Sequence, residues 1–281
     1  LLRKEDPNLE ANLSKQHYTA MVYQVLEQLL IVGIADPMPR IREAFIMSLK
    51  PRFDRFLAQA ENLHALFVAL NDERFSIRAA SISVIGRLAL RNPAHVMPSL
   101  RKTLIQLLTE LQYGGDSSSR EQSCRLLGHL IDSSDRLTKP YLTAILKVLL
   151  PGLKERDHRL VSRVVETVGK LEKVGGAEML PYLPRLIKFI LNNLSNKSHP
   201  IEREVLLRTL GQLIRTTGCV IKPYTDYPEL LPTILHVLST EHKKGARREV
   251  IKVLGILGAL DPYQHKINQA RLRHAKEAAM R

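Results

Sequence analysis

The side chains with the most regular chemistry to offer are arginines. Arg42, Arg78, Arg120, Arg203 and Arg247 recur along the chain, and Val161 fills the remaining place between Arg120 and Arg203. The successive spacings are 36, 42, 41, 42 and 44 residues. Asp36, Asp72 and Glu241 each precede one of these arginines by six positions. A guanidinium is a rigid fork of donors that grips a carboxylate with two hydrogen bonds. The spacing therefore predicts a carboxylate in a turn pairing with an arginine in the first turn of the next helix, unit stacked on unit as a ladder in which each arginine can bridge to the next turn. The competing reading is a row of cations for phosphate or an acidic peptide. Charge rows at a repeat spacing favour the structural reading.

Catalytic constellations are missing from the sequence. There is no glycine-rich phosphate loop, no HExxH, no GxSxG, and neither the His-Arg-Asp nor the Asp-Phe-Gly of a protein kinase. Ser99 and Lys102 spell SxxK but lack its companion motifs. His129, His158 and His242 have no second ligand nearby in sequence. His129 reads as a packed or hydrogen-bonded side chain. Cys124 and Cys219 are isolated, without a CxxC partner, which fits free thiols better than a disulfide or a zinc site. Catalytic residues, cofactor and metal are all expected to be none.

The elements that must carry the arginines can be read from their surroundings. Eight residues after the six anchors stand Lys50, Gly86, Gly128, Gly169, Gly211 and Gly255. A helical glycine costs about 1 kcal/mol relative to alanine. Its recurrence predicts close helix–helix approach, where a missing Cβ lets backbones meet. Apolar stripes at helical spacing run through Tyr18, Met21, Val22, Val25, Leu26, Leu29 and Leu30; through Val96, Leu100, Leu104, Leu107, Leu108 and Leu111; and through Leu183, Leu186, Ile187, Ile190, Leu191 and Leu194. Breaks are expected at Asp36–Pro39, Asn71–Arg74, Tyr113–Asp116 and Ser195–Ser198 within units. Between units they are expected at Asn92-Pro93, Lys139-Pro140, Pro181, Lys222-Pro223 and Tyr227-Pro228. Ser118 with Glu121 reads as a capping box, and Pro200 as a first-turn proline. A period near 40 with two helices per unit is the HEAT or armadillo class. The expected fold is all-α, a HEAT-type α-α superhelix of stacked antiparallel helix pairs. About six pairs fill residues 1–262, and 263–281 form a basic helical tail or the start of a further repeat.

Composition agrees. Apolar residues make up 44% of 281 and aromatics only 5%, with no Trp, so Leu, Ile, Val and Ala supply the core. The chain opens on Leu1 without an apolar leader and reads as cut from something longer. No uninterrupted apolar run approaches the length that crosses a bilayer. Net charge is +14, and residues 243–281 hold ten Lys and Arg against three Asp and Glu. Lys243, Lys244, Arg247 and Arg248 gather in one turn as a candidate partner-binding cluster. Nucleic acid, an acidic protein surface and an anionic membrane are its open uses, against a solvated helix start. Scarce aromatics weigh against single-stranded nucleic acid.

Several runs are more specific than the repeat. Ile77 to Leu111, Glu121 to Leu130 (EQSCRLLGHL) and Arg247 to Asn268, with its GALDPY stretch, resemble the amino-terminal HEAT region of the target of rapamycin kinases. Shorter likeness at Leu210–Leu213 and Lys222–Tyr224 extends the resemblance over most of Leu63 to Asn268. It implies a segment of a very large serine/threonine kinase that couples nutrients and growth factors to growth, without the catalytic domain. It implies raptor-type or rictor-type adaptors and a second protomer as partners. No small-molecule substrate is implied, and membranes are met only indirectly. Cytoplasmic residence follows, with recruitment to the lysosome or vacuole surface and a nuclear pool. Without the long runs, a nuclear transport receptor, a phosphatase scaffold or a nucleic-acid-binding HEAT protein would explain the period equally well.

Overall fold

The computed structural model describes residues 7–195, 203–216 and 226–258, with side chains at 17–195, 203–215 and 226–257. Cys219, Pro200, the Lys222-Pro223 break, most of the Ser195–Ser198 break and the tail 263–281 lie outside these residues. Every regular element among the described residues is helical.

Two compact units divide the chain at Tyr141 and Leu142. The first holds α1 (Pro7–Ala35), α2 (Pro39–Ser48), α3 (Asp54–Leu57), α4 (Ala60–Ala69), α5 (Phe75–Leu88), α6 (Pro93–Tyr113), α7 (Ser117–Ser133) and α8 (Asp135–Thr138). The second holds α9 (Leu142–Gly152), α10 (His158–Gly175), α11 (Leu183–Ser195), α12 (Arg203–Thr216), α13 (Leu230–Thr240) and α14 (Lys244–Gly258). Short 3₁₀ turns at Pro51–Phe53, Lys139–Tyr141 and Gly176–Tyr182 precede the main first helices of three pairs. Each contains a proline, whose absent N–H breaks the hydrogen-bond ladder there. First helices of these pairs are thus split, a detail that the two-helix reading lacks.

Packing follows one rule within each unit. First helices meet first helices, α1 on α4 and α4 on α6, while second helices meet second helices, α2 on α5 and α5 on α7. In the second unit α11 packs on α13, and α10 on α12 on α14. The core lies between the two layers. Val96, Leu100, Leu104, Leu107 and Leu111 are buried along α6, and all six named apolar residues of α11 are buried. Full burial of one such side chain stabilises by about 1.5–3 kcal/mol.

The stripe on α1 departs from expectation. Leu26 and Leu30 are buried, but Tyr18, Met21, Val25 and Leu29 are at least half exposed. Helical spacing marks an apolar face without saying that anything covers it. Among the described residues α1 is flanked only by α2, α3 and α4. The helix also corrects the run-length reading, because His17–Ala35 is long and apolar enough to cross a membrane by length and composition. Gln24, Glu27 and Gln28 interrupt its apolar run and hide this in the sequence. Tyr23 meets Phe56 edge-on at 5.0 Å, tying α1 to the first unit.

Polar side-chain caps mark the starts of α6, α7 and α10. Asn92 Oδ1 accepts from the His95 amide at 3.4 Å, and Asp157 Oδ1 from the Arg159 amide at 2.8 Å. At α7 the cap is Asp116, which accepts from the Ser119 amide at 2.9 Å. The expected Ser118–Glu121 box is displaced, because α7 already begins at Ser117 and Ser118 lies inside its first turn.

Candidate partner-binding surfaces

The anchor arginines sit at the starts of second helices, where the turn before each helix comes within their reach. Arg42 Nη1 donates to the carbonyl oxygen of Asp36 at 2.9 Å, and Arg78 Nη1 to that of Asp72 at 2.7 Å. Arg247 Nη1 reaches the carbonyl of Glu241 at 3.5 Å. The partner six residues back is therefore a backbone oxygen and not the carboxylate. That carboxylate serves its own turn: Asp36 accepts from the Met38 amide at 2.7 Å and Asp72 from the Arg74 amide at 2.8 Å. Glu241 accepts from the amides of His242 and Lys243, both at 3.0 Å.

The side-chain partner comes from the next pair. Arg42 grips Asp72 through Nε at 2.7 Å and Nη2 at 3.1 Å, and reaches Glu73 at 3.3 Å. Arg78 donates to Gln122 at 2.8 Å, and Arg203 to Glu241 at 3.3 Å. Arg120 donates through Nε to the Leu111 carbonyl at 3.0 Å. At the fourth anchor Val161 is buried.

Electrostatics follow from this geometry. Burial pushes the Asp72 carboxyl upward, but hydrogen bonds from Arg42 and the Arg74 amide, with the charges of Arg42 and Arg78, hold it below its usual value. The Lys243 amide holds Glu241 down, against burial and with help from Arg203. The hydrogen bond to Asp72 is the largest influence raising the Arg42 guanidinium, and burial opposes it.

Gly86, Gly169 and Gly211 face the neighbouring second helix. A Cβ at Gly86 would lie 2.6 Å from Ser133 Cβ and 3.0 Å from the Ser133 carbonyl. At Gly169 it would meet Gln212 and lie 3.0 Å from Thr209 Oγ1, and at Gly211 it would sit 3.2 Å from Val253 Cγ2. Gly128 is buried on α7. Gly255 meets nothing within 4 Å.

Two features were illegible beforehand. Arg87 grips Asp54 through Nε and Nη2 at 2.8–3.0 Å and donates to the Leu49 carbonyl at 2.8 Å, joining α5 to the preceding pair. Its only sequence signal is a cation next to Gly86. Arg125 stacks over Phe75 at 4.1 Å, with the half-buried His129 ring 6.3 Å from Phe75. Cys124 is buried.

In the first unit two clefts open between repeats. One, of about 270 Å³, is lined by Asp72, Arg78, Glu110, Gln122 and Ser123 among others. The other, of about 370 Å³, lies over Met47, Ala80, Ser83 and Arg87. Lys243, Lys244, Arg247 and Arg248 are all exposed at the start of α14.

Comparison with known proteins adds the family. Residues 220–281 match the family described as "Serine/threonine-protein kinase mTOR domain". "Serine/threonine-protein kinase TOR2" of Saccharomyces cerevisiae is 44% identical over 250 residues, which is 89% of this chain and 10% of the relative. "Serine/threonine-protein kinase TOR" of Oryza sativa subsp. japonica is 47% identical over 255 residues, 88% of this chain and 10% of the relative. The crystal structure of Kap121p superposes with a TM-score of 0.57 at 14% identity, covering 91% of this chain and 26% of that one. That likeness shows the fold alone, an all-α stack of HEAT type. Sequence relationship therefore places this chain with the amino-terminal HEAT-repeat region of the target of rapamycin kinases, as a segment spanning about a tenth of the length of the relatives it matches.

Proposed function

We propose that this chain is a non-catalytic, protein-holding segment of a target of rapamycin-type serine/threonine kinase. Its task is to seat a raptor-type or rictor-type adaptor, or the second protomer, in a kinase that couples nutrients and growth signals to cell growth. It acts in the cytoplasm, recruited to a lysosomal or vacuolar surface through its partners. The observation that carries this reading is identity of 44–47% through nearly nine tenths of the chain, against relatives ten times as long.

The surface chemistry supports it. The arginine rungs and Gly86, Gly169 and Gly211 are spent on holding helix pairs together. The two clefts lie around the lower limit of small-molecule pockets, about 300 Å³. Stacked helix pairs offer instead two long, shallow faces.

Cross-linking of the full-length kinase complex tests the reading. Exposed lysines such as Lys102, Lys147 and Lys188 are expected to give reproducible links to an adaptor or to the other protomer. Links confined to the same protomer's own repeats would overturn it.

A further inference from the structure

The turns that hold arginine rungs differ in charge. From Asn71 to Arg78, Asp72 and Glu73 balance Arg74 and Arg78. From Glu241 to Arg248, one carboxylate stands against Lys243, Lys244, Arg247 and Arg248, a surplus of three cations.

That one carboxylate is already committed. Glu241 accepts from two backbone amides at 3.0 Å and from Arg203 at 3.3 Å. The next acid, Glu249, is buried and held by Lys252 at 2.8 Å. Glu204 on α12 lies hard against Gly245, where a Cβ would sit 2.9 Å from its Cδ, and it is engaged by Arg208. Lys243, Lys244, Arg247 and Arg248 therefore have no carboxylate partner among the described residues. The first turn of α14 contains no acidic residue either, so its free amides add to the positive field.

The ladder says what is missing. Arg42 takes Asp72 and Glu73 from the next turn, and Arg203 takes Glu241. Arg247 occupies the same rung and, among the described residues, meets only the Glu241 carbonyl. We propose that this corner docks an Asp/Glu-rich segment of a partner protein, deepening the protein-holding reading on which it rests. A single following turn on the pattern of Asp72 and Glu73 would satisfy Arg247 and leave both lysines and Arg248 unmatched. The occupant therefore brings several carboxylates in a short stretch. No Phe, Tyr or Trp lies between Glu241 and Gly258, so His242 is the corner's one ring for stacking bases.

The test is fluorescence anisotropy of a labelled Glu/Asp-rich peptide on the full chain, beside its Gln/Asn counterpart. Binding is expected for the acidic peptide only, weakening steeply with added salt. K243E/K244E should weaken it about tenfold, and the milder R247Q/R248Q by about threefold, with melting curves confirming that both variants fold. R101E/K102E makes the same charge change on α6 and should leave binding within about twofold. No binding to the wild-type chain, equal loss in the α6 control, equal binding of the Gln/Asn peptide, or tighter binding of duplex DNA or phosphatidylserine vesicles than of the acidic peptide would overturn the proposal. Adaptor co-purification on the same variants keeps the two readings separate, because an adaptor retained while the acidic peptide is lost leaves the protein-holding role standing.

Discussion

Arg42 holds both carboxylate oxygens of Asp72, thirty positions further on, at 2.7 and 3.1 Å, with both side chains nearly buried. The bond crosses from one helix pair to the next and fixes their register. Removing the acceptor leaves a guanidinium in a dry corner with two carbonyls and only the exposed Glu73 carboxylate. Asp72→Ala should lower stability by about 1–3 kcal/mol, whereas Asp36→Ala, which frees only the Met38 amide, should cost less than about 1 kcal/mol. Urea unfolding of the two variants side by side reads the difference.

Acid should loosen the ladder. The folded Asp72 and Glu241 carboxyls both lie below their usual values. A lowered folded value means that the native state binds fewer protons, so the stabilisation is complete above the unfolded value. It is lost as pH falls through the folded one. Melting temperature should therefore drop below about pH 4. Asp72→Asn should start lower and show a shallower fall over the same window.

How much of this could be read beforehand depends on what sets each feature. The pairing of helices was legible because the apolar stripes of α6 and α11 obey a short-range period. The turns before α2, α5 and α7 were legible from Pro, Asp and Gly. Arg42 and Arg78 were found by spacing, and so was a bridge to the next turn, but the carboxylate within the turn was assigned as the first partner. Sequence distance favoured Asp36 for Arg42, while the stacking of pairs brings Asp72 closer. The Arg87–Asp54 pair left no local trace, since its register is set by packing. Exposure of the α1 stripe was hidden for the same reason: periodicity gives the face, and only neighbours bury it.

The glycine row yields a contrast between two positions on one motif. Gly86→Ala places a methyl against Ser133, including its backbone carbonyl at 3.0 Å, and should destabilise by about 1–3 kcal/mol through overpacking. Gly255→Ala meets nothing within 4 Å among the described residues and should stabilise by up to about 1 kcal/mol through helix propensity. Thermal melts of opposite sign would establish the row as a contact device, and equal losses would show that α14 needs its glycine for another reason.

Glu172 is a local inconsistency in the stack. It is fully buried on α10, and neither carboxylate oxygen has a hydrogen-bond partner. The same place, eleven residues after the anchor, holds Ile131 on α7 and Ile214 on α12, both buried. An unsatisfied buried polar group costs about 1–3 kcal/mol, more when charged. Glu172→Ile should therefore raise the denaturation midpoint, and a lowered midpoint would show that the carboxylate is satisfied by a group other than the described side chains.

The central claim is that this segment contributes assembly and not chemistry. The most direct measurement replaces exposed apolar residues, Val68, Leu90, Ile105 and Leu235, singly by Glu in the full-length kinase. Each variant is scored for retained adaptor and protomer and for turnover of a short peptide substrate. The account predicts that at least one substitution weakens association about tenfold while peptide turnover is unchanged. Turnover that falls while association stays intact would contradict it.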